Sequence, residues 1–177
     1  IEWDHYNVYN SHKKYVKQFN KLVHNTPKGG EIIYFEEDEE ISKIIEEYKD
    51  ENTNLISFTH ENFKVNKNET VIIDDDNKLI KLKIFGKHNM QNLAGAKIVC
   101  EKLGIKNKHF YKAILTYELP DRRLEKIFDG KIKIFKDFAH SPSKLKATIS
   151  AVKNQYPNKL LVIYELHSSS SFNRTFL

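Results

Sequence analysis

Gly86-Lys87-His88-Asn89-Met90-Gln91-Asn92 is the stretch on which the fold of this chain turns. Before it, residues 79–85 alternate apolar and polar side chains, the period of a half-buried strand. After it, residues 89–103 are helix formers that stop at Gly104, a residue suited to the left-handed step beyond a helix. The stretch is therefore a strand-to-helix junction. Ligands of parallel sheets gather outside the carboxyl ends of the strands, so the junction is a candidate site if its strand is parallel. Asn89 and Asn92 stand three apart at the helix start, near one face. An amide accepts and donates at once, which suits adenine. Asn is also a favoured helix cap, and spacing alone leaves both roles open.

Upstream, Tyr15, Phe19, Leu22 and Val23 recur at helical spacing within residues 11–24. Pro27-Lys28-Gly29-Gly30 marks a turn before a strand at 31–35. Ile41, Ile44, Ile45 and Tyr48 predict the next helix, with acidic residues where its dipole favours them. Residues 54–59 read as a short buried strand, and 70–73 with 79–85 as a hairpin or two neighbouring strands. Downstream, a second helix is expected over about 108–117, broken by Pro120. Strands follow at 124–128 and 132–135, joined by Asp129-Gly130. Ser141 then caps a helix with Pro142 at its first position and Leu145, Ile149, Val152 and Tyr156 on its buried face. The apolar run at 160–164 indicates a central parallel strand.

A second constellation surrounds that last helix: Asp121-Arg122-Arg123-Leu124-Glu125 and Lys136-Asp137-Phe138-Ala139-His140-Ser141-Pro142. An arginine at a linker can grip phosphate across a cleft with its bidentate fork. Asp137 ends a strand just before a helix, where a carboxylate can take the two hydroxyls of a ribose. An Arg–Glu surface pair beside a capping turn is the plainer alternative.

Composition narrows the class. The 177 residues are 40% apolar and 30% charged, as in a folded domain, and suffice for one domain or parts of two. No apolar run approaches the ~20 residues of a membrane span. The net charge of +5 is spread along the chain and interrupted by acidic stretches, unlike the concentrated basic face of a nucleic-acid binder. A single cysteine, Cys100, rules out an internal disulfide framework and reads as a buried, inert thiol in a reducing compartment. We expect a cytoplasmic protein with neither nucleic acid nor membrane as partner.

In this order and spacing, the motifs resemble the Mur ligase family, ATP-dependent enzymes that join amino acids or peptides to UDP-N-acetylmuramate precursors of peptidoglycan. Ile1-Glu2-Trp3-Asp4-His5, G-x-H-N-x-x-N, R-R-L-E and D-F-A-H-x-P all fall in family order, and the resemblance covers nearly the whole chain. Within the family it is nearest to the murein peptide ligases, which recycle cell-wall tripeptide, through D-H plus an aromatic, Tyr15-x-x-Gln18-Phe19 and Glu165-Leu166-His167. The implied fold is α/β: residues 1–119 are the end of a P-loop-type central domain, and 120–177 the first part of a Rossmann-like C-terminal domain. The resemblance implies that Asn89 and Asn92 contact adenine, Asp137 the ribose and Arg123 the phosphates of ATP. His5 would hold Mg2+, and His140 would lie near the nucleotide and the incoming amine. Glu165 and His167 are weaker substrate candidates, in a loop that faces the cleft in the family.

The chain departs from the pattern at three places. Ser141 stands where many alanine and tripeptide ligases carry a second histidine. Phe19 occupies the position at which several members have a carbamoylated lysine. No G-x-x-x-x-G-K-[ST] occurs, so the phosphate-cradling loop is expected before Ile1. Ile1-Glu2-Trp3 already reads as strand, and residue 177 closes an unfinished helical pattern. We therefore expect the end of one domain and the beginning of the next, inactive by themselves. Two other functions remain open: a folylpolyglutamate-synthase-like ligase, and a non-catalytic module that binds anions through its lysines.

Overall fold

The structure is a computed structural model that describes residues 1–48, 52–166 and 168. Ser11, in an extended conformation, accepts a bond from Lys14 N and starts helix α1 (His12–His24). Asp38 does the same for α2 (Glu39–Glu47), accepting from Glu40 N and Ile41 N at 3.1 and 3.0 Å. Glu39 and Glu40 then complement the dipole of its first turn. The apolar faces of the two helices meet: Val23, Ile44, Ile45 and Tyr48 are buried together, with Phe19 and Ile32 packed on them. Helix α2 connects β1 (Glu31–Phe35) to β2 (Asn54–Phe58), which run parallel with Glu31 opposite Asn54. β2 is more open than its apolar sequence implies. Among the described residues it pairs only with β1, and Leu55 is 37% exposed.

Three antiparallel strands follow: β3 (Phe63–Asn66), β4 (Glu69–Ile73) and β5 (Leu79–Leu82). The β4–β5 hairpin matches the sequence reading, but β3 does not figure in it. The β3–β4 turn is Lys67-Asn68, both at positive φ, the two-residue geometry that matches strand twist. Thr70, Ile72, Ile80 and Leu82 alternate onto the inner face, while Ile73, Leu79 and Lys81 face out. The strand that leads towards Gly86 is thus antiparallel, and the parallel-sheet argument for this junction does not apply to it. Helix α3 (Lys87–Lys102) covers the inner face with Met90 and Leu93. Phe110 and Tyr111 of α4 (Asn107–Ile114) complete that core. Gly104, at φ +81, turns the chain between the two helices.

Beyond Pro120, β6 (Glu125–Asp129) and β7 (Lys133–Lys136) form a hairpin whose register slips between Lys126 and Phe128. Lys126 and Lys133 both bond the Asp129 carboxylate and hold its pKa down at about 2. Helix α5 (Pro142–Gln155) begins with the expected proline. Ser141, however, makes no side-chain cap, because its hydroxyl meets that of Ser143. The buried face of α5 is also rotated from expectation. Ala151, Val152 and Gln155 are buried, whereas Leu145, Ile149 and Tyr156 are only partly covered. A third core forms from Phe85, Leu124, Ala151 and Val152, so residues on both sides of Pro120 share it. Phe85, Phe135 and Tyr156 stack there with ring centroids 5.5 to 6.1 Å apart.

Two expected strands are absent. Residues 1–3 have no regular structure. Residues 160–164 are likewise unpaired, with Ile163 92% exposed. An apolar run specifies burial, but a strand also needs a hydrogen-bonding neighbour, and none lies beside it among the described residues. The helical pattern expected to end at residue 177 lies outside the described residues.

Candidate nucleotide-binding site

Gly86 precedes α3 at φ +92, a conformation that favours glycine. Its missing side chain also lets α5 approach: a Cβ there would lie 2.5 Å from the Ala151 Cβ. Asn89 is buried and does not cap the helix. Its Nδ2 donates to Phe85 O at 2.7 Å, tying α3 back to the segment that feeds it. The amide oxygen of Asn89 is the end left to accept from a base amino group. Asn92, one turn further on, is exposed. The two amides therefore differ in role: one is anchored, the other open to solvent. Between Gly86 and Asn89, half-buried His88 feels two opposing influences. Burial pushes its pKa below the ordinary histidine range, and the Asp137 charge draws it back in part.

Asp137 lies immediately after β7 and ties together the turn that carries Arg123. Its Oδ2 accepts from Leu124 N at 2.7 Å, and its Oδ1 from Ala139 N at 2.7 Å and Thr148 Oγ1 at 3.2 Å. Arg122 and Leu124 both sit at positive φ, a strained pair for non-glycine residues. Bonds from Phe138 N to Arg122 O and from Arg122 N to Glu125 Oε2 over-determine the turn. Arg123 itself is exposed, its backbone held through Pro120 O. A carboxylate offers about four acceptor positions, so Asp137 keeps one, on Oδ2. One remaining acceptor gives Asp137 less reach than a carboxylate open on both oxygens.

His140 donates from Nδ1 to Phe138 O at 2.9 Å, since a carbonyl can only accept. Its Nε2 stands 3.5 Å from Oδ1 of Asp4, a residue only 8% exposed. The other Asp4 oxygen accepts from Lys144 Nζ at 2.5 Å, and Oδ1 also takes His5 N at 2.8 Å. Burial alone would raise the Asp4 pKa. The Lys144 bond, the His5 N–H and the charges of Lys144 and His140 outweigh it, and the net shift is downward. His5 is exposed, at φ +55, with its Nε2 4.0 Å from Asp4.

The structure thus brings His5 and His140 to one carboxylate, and Arg123, Asp137 and the start of α3 to one region. Glu165 lies in the exposed stretch after α5, and His167 lies outside the described residues. Sequence reasoning assigned no role to Asp4 as a bridge, nor to Lys144, His88 or Thr148. Asp4 and Lys144 are 140 positions apart, so no local spacing signals the pair. Magnesium does not fit these residues alone. Among those described, no three His, Cys, Asp or Glu gather in a way that could hold a metal, and Asp4 is committed to Lys144. Nor is any described helix long and apolar enough to cross a membrane.

Known proteins supply an independent comparison. The UDP-N-acetylmuramate–L-alanine ligase of Dictyoglomus turgidum is 28% identical over 187 aligned residues, which cover 99% of this chain and 39% of that protein. The chain spans about two fifths of the length of the curated relatives it matches. Among solved structures, MurF from Acinetobacter baumannii aligns with a TM-score of 0.64 at 16% identity, covering 78% of this chain and 32% of that one. Folylpolyglutamate synthetase from Lactobacillus casei aligns at 0.62 and 15% identity, covering 84% and 41%. An FPGS–AMPPCP complex aligns at 0.61 and 16%, covering 81% and 39%. At these identities the structural likeness speaks for the α/β fold alone. The Mur ligase middle domain matches residues 1–100, more than half of the 177, and the chain belongs to the Mur ligase family.

Proposed function

We propose that this chain supplies the adenosine side of the site, and the start of the C-terminal domain, of a cytoplasmic ATP-dependent ligase. The boundary between the two parts falls at Pro120, and the acceptor is UDP-N-acetylmuramate. One observation carries the reading. Asp137 bonds the turn that presents Arg123 and places its charge by His88, so segments far apart in sequence converge beside the start of α3.

In this reading ATP transfers its γ-phosphoryl group to the muramate carboxylate, ADP leaving, and the incoming amine then attacks the acyl carbon of the acyl phosphate to form the amide and expel inorganic phosphate. The chain's own residues position and neutralise. The Asn89 oxygen and the Asn92 amide read the base. Asp137 accepts one ribose hydroxyl. Arg123, on its braced turn, meets the phosphates with a planar fork. His140 lies on the amine side, fixed by Phe138 O. Magnesium requires ligands beyond the described residues. The relatives' names support L-alanine as the amine. The R-R-L-E and Glu165-Leu166-His167 motifs favour a tripeptide as the second reading.

The test uses the whole ligase. Asn92→Ala and Asp137→Ala are expected to raise KM for ATP at least about tenfold, the loss of a good hydrogen bond to a ligand. The KM for UDP-N-acetylmuramate should stay near its starting value. An unchanged KM for ATP in both variants refutes the assignment. Turnover with folate and glutamate, but not with UDP-N-acetylmuramate, moves the protein to the folylpolyglutamate side. Steeply salt-dependent binding of nucleic acid, with ATP turnover indifferent to both substitutions, supports the anion-binding module instead.

A further inference from the structure

Helix α5 is held at its two ends by unlike joints. At its C-terminal end, Gln155 is 4% exposed and Thr70 only 1%. Thr70 Oγ1 donates to Gln155 Oε1 at 2.9 Å, and Gln155 Nε2 donates to Asn68 O at 2.5 Å. This joint is neutral, buried and satisfied, and the Phe85–Val152 core lies beside it. Opening it would leave several buried polar atoms unpaired, the costliest way to lose a hydrogen bond. At the N-terminal end the joint is ionic. Asp4 takes Lys144 and faces His140, and the Lys144 side chain is 39% exposed. When this joint opens, water can take up both charges, and dissolved salt weakens their attraction.

The geometry points to Asp4 and Lys144 as positioning residues: a releasable latch that swings the first turn of α5, and His140 with it, about the fixed joint at Gln155. Lys144 and Gln155 are about 17 Å apart along the axis at 1.5 Å per residue. A rotation of about 10° at the Gln155 end therefore moves Lys144 by about 3 Å and Thr148 by about 2 Å, enough to break the ion pair and the Thr148–Asp137 bond while the joint at Gln155 stays intact. Closing the latch brings His140 back to the Asp4–His5 turn, and opening it parts the two histidines.

Hydrogen exchange of the 177-residue chain, read by mass spectrometry, tests it. Asp4→Asn is expected to speed exchange at residues 145–148 by roughly three- to tenfold, the range of a partly buried ion pair, while residues 152–156 stay within about a factor of two. Raising NaCl from 0.02 to 1 M should do the same to the unmodified chain and have little effect on the variant. The swapped pair Asp4→Lys with Lys144→Asp should restore protection, which a merely structural loss would not. Thr70→Val should loosen both ends together. Where Asp4→Asn lowers stability too far to read, Lys144→Gln serves instead, since it removes the charge from the more exposed partner. The latch is overturned if a single variant that stays folded leaves residues 145–148 unchanged or loosens both ends equally, or if both single substitutions unfold the chain. It is equally overturned if the swap restores nothing.

Discussion

Asp137 shows how one side chain can serve the fold and the candidate site together. Its carboxylate satisfies two backbone N–H groups and one hydroxyl, and braces a turn with two non-glycine residues at positive φ. Asp137→Asn puts a donor where an acceptor is needed. We expect it to cost about 1–3 kcal/mol by urea denaturation, the penalty of an unpaired buried donor. Thr148→Val removes only the longest of the three bonds and should cost less than half as much. His88 makes a separate prediction about pH. Burial lowers its folded pKa from the ordinary 6.5, so the unfolded ring binds its proton first as pH falls. The stability contributed by the neutral ring is complete above that value and declines below it. The loss is complete once pH passes the folded pKa. His88→Gln should flatten the urea midpoint between pH 7.5 and 5.5 relative to the unmodified chain. Depressed carboxylates such as Asp4 lose their contribution only below the ordinary carboxylate range.

Among the elements, the α3–α5 contact depends on Gly86. Gly86 and Gly104 both have positive φ, +92 and +81, but different surroundings. An added Cβ meets Ala151 at 2.5 Å at the first position and nothing within 4 Å at the second. Gly104→Ala should therefore cost only the backbone strain, about 1 kcal/mol. Gly86→Ala should cost at least about 2 kcal/mol more, because α5 must move or its core must open. Equal urea midpoints for the two would contradict the close packing. Such elements were legible where punctuation is local: acidic residues mark the start of α2, and Gly104 marks a stop. β3 was missed because four residues alternate too briefly to stand out, although Lys67-Asn68 is a usable hairpin signal in retrospect. The rotated face of α5 has a different cause. Leu145 and Ile149 satisfy the helical period, but the surface that actually packs on α5 selects Ala151 and Gln155.

At the scale of the molecule, three cores follow the chain in order among the described residues, and the last is built from both sides of Pro120. The motifs that announced the family were readable because each is contiguous. The meeting of Asp4 with His140 and Lys144 was not, since it depends on how α5 packs and on no spacing in the sequence. The run at 160–164 was misread for the same kind of reason: apolarity is local, whereas strand pairing is not. One functional expectation belongs to this scale. The 177 residues contain no G-x-x-x-x-G-K-[ST], so by themselves they should release no phosphate from ATP, even where they bind it weakly. Sustained ATP hydrolysis by the purified chain, by phosphate release, would contradict this.

The only tryptophan of the chain, Trp3, is the residue before Asp4. Its indole donates to Tyr9 O at 2.9 Å, and its ring lies 5.4 Å from that of Tyr6. Light emitted by this one indole therefore originates where the beginning of the chain meets α5. Hydration of that corner should shift the emission to the red, while changes at the remote Gln155 end should leave its colour alone. The protein carries a built-in optical gauge, readable in a cuvette without a label.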